Sequence, residues 1–162
     1  MDDSTWTWIS GSHPQFSRGV YGEKGKPSVH YTPSARYAAV GWFDESKQEL
    51  WVFGGYSLVG DYQMDGELKI LFFLMNKCLS YDLGPLNDLW KYQLNDSTWT
   101  WMGGGNAGTL LGIYGEKSVP NTTNVPGARW DAVGEYDSLR GEFWLFGGYG
   151  YGSDFASFGT QA

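Results

Sequence analysis

Short apolar runs closed by paired glycines recur along the chain. ELWVFGGY at 49–56 and EFWLFGGY at 142–149 each hold four consecutive bulky apolar residues, and runs that short and that sharply stopped predict strands buried on both faces. Gly54 and Gly55, like Gly147 and Gly148, permit positive φ or a close backbone approach where a side chain would clash. NDLWKYQL at 87–94 places Trp90, Tyr92 and Leu94 on one face and Lys91 and Gln93 on the other, the period of a half-exposed strand. STWTWM at 97–102 repeats that alternation with Trp99 and Trp101, and the intervening Asn95–Ser97 reads as a turn. RYAAVGWF at 36–43 and RWDAVGEY at 129–136 form the remaining strand type, small residues interleaved with rings.

These runs belong to an internal repeat. DSTWTW at Asp3–Trp8 recurs at Asp96–Trp101 and YGEK at Tyr21–Lys24 recurs at Tyr114–Lys117, an offset of 93 residues (Trp6 to Trp99). The same offset carries Pro27 onto Pro120, Arg36 onto Arg129, the AVG at 39–41 onto that at 132–134, and FGGY at 53–56 onto that at 146–149. One region spanning 1–162 therefore holds two copies of one unit, 2–56 and 95–149, parted by an unmatched insertion at about 57–85. The tail after Tyr149 is too short for an equivalent of that insertion.

Composition agrees with an all-β reading. The chain has 24 glycines, nine tryptophans and 41% hydrophobic residues, which suits turns and packed rings and excludes a disordered acidic tail. A net charge of −7 speaks against nucleic acid, whose phosphates are held by Lys and Arg. The longest apolar stretch, Leu68–Leu79, contains Lys69, Asn76 and Lys77 and falls short of the roughly 20 residues a membrane helix needs, so no membrane span is expected. No basic, apolar leader follows Met1. Either the protein is intracellular or its natural start lies upstream, and the sequons at Asn95 and Asn121 leave the compartment open.

The order of a basic residue entering a strand (Arg36, Arg129), an apolar strand ending in Gly-Gly, a strand with an aromatic such as Tyr92, and a Trp strand such as Trp99 resembles the kelch repeat. The resemblance covers nearly all of the chain outside about 57–85. It implies a partial β-propeller of kelch-type four-stranded blades, about two blade equivalents and not closed. These would be the last strand of one blade (Ser4–Ile9), one whole blade (Arg36–Met102) and the first half of another (Arg129–Tyr149). A kelch unit is about 50 residues against 93 here, so each repeat carries long connections. One is Gly103–Gly127 with its copy Ser10–Ser34; the other is the insertion, which is an extra strand, a partner-binding protrusion or a gene-prediction artefact. Propellers close with about four to eight blades. The chain is therefore expected to be a fragment of a longer protein, or to complete its propeller by association.

The resemblance implies a protein-interaction scaffold that presents its blade-end loops to a protein partner. Candidate binding residues are Tyr21, Glu23 and Lys24, with Tyr114, Glu116 and Lys117 in the second copy. Arg36 and Arg129 either bind acidic peptides or pair structurally with a neighbouring blade. The competing reading is an extracellular carbohydrate-binding or galactose-oxidase-like module. The galactose-oxidase type uses copper held by two histidines and two tyrosines, one crosslinked to cysteine. Here His13 and His30 align with Asn106 and Thr123, and Cys78 is the single cysteine. No Walker loop, HExxH or GxSxG motif is present, so no enzyme, metal or cofactor is expected. Asp44, Asp137, Glu49 and Glu142 recur at equivalent places and read as parts of hairpin turns rather than paired catalytic acids. The tryptophans, Trp6 and Trp8 among them, fall on predicted strands, where rings are expected to fill space between blades rather than stack on sugar.

Overall fold

A computed structural model describes residues 5–11, 17–58, 83–157 and 159–160. Most of the insertion, with Leu68–Leu79 and Cys78, lies outside the described residues, as does His13. The described residues are all-β, with several antiparallel sheets, none of them closed, and no α-helix.

Taken with the chain up to Gly103, the first unit builds a five-stranded sheet in the order β1-β8-β7-β4-β3. Its strands are β1 (Pro27–Ser28), β3 (Val40–Asp44), β4 (Glu49–Phe53), β7 (Leu89–Gln93) and β8 (Thr98–Gly103). Four of them fall on the sequence patterns. The fifth, β1, comes from the long Ser10–Ser34 connection and lies along the outer edge of β8, Pro27 opposite Thr100. Chain direction reverses in turns whose acids accept backbone N–H groups: Asp44 Oδ1 from Ser46 and Lys47, Asp137 Oδ1 from Leu139 and Arg140. These two carboxylates are turn caps, as their recurrence suggested.

RYAAVGWF does not run as one strand. Ala38 adopts φ +52° and its counterpart Asp131 +59°, so Arg36–Tyr37 (β2) peels away from β3 into a second sheet. There it pairs with β5 (Tyr56–Leu58), which pairs in turn with β6 (Leu83–Pro85). The two ends of the insertion thus meet as neighbouring strands. The second unit repeats the arrangement: β9 (Arg129–Trp130), β12 (Tyr149–Gly150) and β13 (Gly159–Thr160) form a three-stranded sheet. Thr160 faces Tyr149 where Pro85 faces Tyr56. The tail after Tyr149 therefore does return a strand, through a shorter excursion holding a 3-10 turn at Phe155–Ser157.

Among the described residues, the second unit's main sheet consists of β10 (Val133–Asp137) and β11 (Glu142–Phe146). Its inner face, Phe143, Leu145 and Tyr136, packs on Val40, Trp42 and Phe53 of the first unit. Trp90, Tyr92 and Trp99 pack on the opposite face of the first sheet against Tyr21, Tyr31 and Trp101. Two expectations fail here. EFWLF is not buried on both faces, because Trp144 and Phe146 look outward into solvent. Residues 5–9 form no strand, and Trp6 is 99% exposed whereas its twin Trp99 is buried. The reason is neighbours: Trp99 sits beside Tyr92 on β7, and no described strand runs beside Trp6.

The paired glycines fasten the units together. Gly54 and Gly55 adopt φ +62° and +94°, and a Cβ on Gly54 would stand 2.6 Å from the Arg129 carbonyl oxygen. The absent side chain lets the Gly55 N–H donate to the Arg129 carbonyl at 2.9 Å, while the Arg129 N–H donates to the Leu86 carbonyl at 2.9 Å.

Candidate functional site

Each unit buries one arginine at the start of a short strand, and the two arginines are held by the same scaffold. Arg36 Nε donates to the Ser34 carbonyl and Nη1 to the Gly54 carbonyl. Arg129 Nε donates to the Gly127 carbonyl and Nη1 to the Gly147 carbonyl, positions one repeat later. Nearby, Val20 bridges Thr32 and Ile113 bridges Val125, again one repeat apart. The YGEK turns match as well: the Lys26 N–H donates to the Glu23 carbonyl and the Val119 N–H to the Glu116 carbonyl.

The surroundings of the two guanidinium groups then diverge. Arg36 meets Asp88 in a two-pronged pair, Nη1 to Oδ1 at 2.6 Å and Nη2 to Oδ2 at 2.8 Å, and its Nη2 also reaches the Ser34 hydroxyl. Asp88 is fully buried. It further accepts from the Tyr21 hydroxyl and the Trp90 ring N–H, each at 2.6 Å. A carboxylate so buried is sustained by this dense set of donors. Burial disfavours the charged guanidinium of Arg36, and the hydrogen bonds and charge of Asp88 more than offset it, so its pKa stands above the ordinary value. Tyr21 is pushed well above its usual range by burial first and by the Asp88 charge second.

Arg129 has no such partner among the described residues. It is 6% exposed, its Nη2 donates to the Tyr114 hydroxyl at 2.7 Å, and no described carboxylate pairs with it. Of the five N–H groups a guanidinium carries, Arg36 engages all and Arg129 three.

Among the other candidate positions, Lys24 lies over the Trp101 ring, 4.6 Å from its centroid, a cation–π contact that pins the connection to β8. Glu23, Glu116 and Lys117 are exposed on the turns. Tyr21 and Arg36 are drawn together inside the first unit; in the second, Arg129 is buried but the Tyr114 that meets it is exposed, and the charged residues of YGEK stay at the surface. Asp88, the hub of the first cluster, was not among the sequence candidates. Its signal was an acid at the head of a Trp strand, facing an arginine that recurs.

Next to Arg129's unit lies a cleft of ≈ 720 Å³, lined by Trp42, Phe53 and Leu89 of the first unit and by Ile113, Phe143 and Leu145 of the second. His30 is exposed, and no group of three or more His, Cys, Asp or Glu among the described residues could hold a metal ion. No described helix is long and apolar enough to cross a membrane. No family model, curated protein or solved structure matches the chain.

Proposed function

We propose that the chain is two units of a kelch-type β-propeller and serves as a protein-interaction scaffold. The reading is supported by one observation above others: the same backbone cage, Ser34 and Gly54 around Arg36, Gly127 and Gly147 around Arg129, recurs with its long connection. A rigid sheet thus carries repeated exposed turns at Glu23 and at Glu116–Lys117, which is where a scaffold fold places variable contact chemistry. Completion of the propeller comes from further units or from association, because two units leave a sheet face in solvent.

Photo-crosslinking tests this. A photoreactive residue at position 23 or 117 is expected to give discrete protein adducts in cell extract, and one at hairpin positions 47 or 139 is not. Equal labelling from all four positions would contradict the loop reading.

A further inference from the structure

We propose that the open edge of β11 receives an incoming β-strand that carries an aspartate two residues ahead of a tryptophan, with Arg129 recognising the aspartate. The first unit shows what a filled edge looks like. There β4 is paired on both sides, with β3 and with β7, in the register Val52 opposite Trp90 and Leu50 opposite Tyr92. One repeat later β11 pairs with β10, and no other described strand lies along it. An unpaired row of backbone N–H and C=O groups is what strand addition requires.

Three features beside that edge match the chemistry of β7. The first is charge: Arg129 is buried with two N–H groups uncommitted, and in Arg36 the corresponding prongs grip Asp88. A buried cation lacking a counter-charge is costly, and a carboxylate arriving two residues ahead of the strand's tryptophan removes that cost. The second is the Tyr114 hydroxyl, which accepts from Arg129 Nη2; one repeat earlier the Tyr21 hydroxyl donates to the carboxylate that pairs with Arg36. The third is space. Trp90 and Tyr92 rest on the face of Leu50 and Val52. The counterparts of those two residues, Phe143 and Leu145, line the cleft, so an incoming tryptophan opposite Leu145 enters it.

The occupant is a partner polypeptide of that chemistry, whose aspartate supplies the counter-charge that no described carboxylate gives Arg129. A second copy's β7 is a poor donor, since it is clasped between β4 and β8 of its own sheet. This inference rests on the first unit as pattern and not on the loop reading above.

The test uses the whole chain and a labelled synthetic peptide with the sequence of residues 86–94, followed by fluorescence anisotropy. Saturable binding is expected. Replacing the peptide's aspartate by asparagine should weaken it about tenfold or more, and tryptophan to alanine should do the same. In the Arg129→Gln chain the preference for aspartate over asparagine should vanish. Glu116→Ala/Lys117→Ala should leave binding unchanged, which separates this site from the loops. Absence of peptide binding, or equal binding of the asparagine peptide, overturns the proposal. The peptide series on the native chain decides the matter even if Arg129→Gln does not fold. A dimer in sedimentation velocity that excess peptide fails to dissociate would assign the edge to a second copy and also overturn it.

Discussion

Phe53 and Phe146 fill equivalent places one repeat apart, yet the first is 5% exposed and the second 69%. Phe53 is wedged between the units with Val40 and Trp42. Phe53→Ala should therefore cost about 3–5 kcal/mol, the usual loss for a buried aromatic. Phe146→Ala should change stability by no more than about 0.5 kcal/mol, as at an ordinary surface position. Urea titrations of the two variants check this, and similar losses would mean that Phe146 is covered.

The buried pair of Arg36 and Asp88 makes a second contrast. Removing one partner leaves the other charge stranded, so Asp88→Asn and Arg36→Gln should each cost about 3–5 kcal/mol. In a double-mutant cycle the two losses should be strongly non-additive. Arg129→Gln should cost clearly less than Arg36→Gln, because no described carboxylate is left behind. Equal costs would show a hidden counter-charge at Arg129.

Gly54 and Gly141 share a left-handed backbone, φ +62° and +70°, in opposite surroundings. A Cβ at Gly141 meets nothing within 4 Å, whereas at Gly54 it meets the Arg129 carbonyl oxygen at 2.6 Å. Gly141→Ala should cost about 1–2 kcal/mol for the backbone conformation alone. Gly54→Ala should add about 1–3 kcal/mol of overpacking to that. Thermal melts that rank the two equally would contradict the close approach of the units.

Asp44 gives the fold an acid limit. Its carboxyl is held well below the usual carboxylate range, first by the Ser46 hydroxyl, then by the Tyr136 hydroxyl of the second unit and by Lys47. A depressed folded pKa means that its stabilisation is fully present above the unfolded value of about 4 and drains away as the pH falls towards the folded value. Melting temperature should drop as pH is lowered from about 4 towards about 2. Asp44→Asn should start lower at neutral pH and fall less steeply. Parallel profiles would remove Asp44 from the acid transition.

The alternation of Trp90, Lys91 and Tyr92 and the paired glycines were legible because period and turn chemistry are local. The 93-residue offset then fixed equivalent positions without any contact information. Environment was not legible. The same TWTW sequence is strand β8 at Thr98 and solvent-exposed chain at Thr5, since only the first has β7 beside it. Asp88 was not legible for a related reason: an internal repeat marks what recurs, and the acid that completes Arg36 lies outside the repeated segments. β13 at Gly159–Thr160 carries no strand pattern of its own and is set by the Tyr149 edge that it joins.

Hydrogen exchange read amide by amide on β4 and β11 tests the central contrast between a filled and an open repeat. Both sets of alternating amides in Glu49–Phe53 should be protected, because β3 and β7 bond them from either side. In Glu142–Phe146 only the amides that face β10 should be protected, with the alternate ones exchanging as solvated backbone. Uniform protection along β11, matching β4, would contradict the open edge.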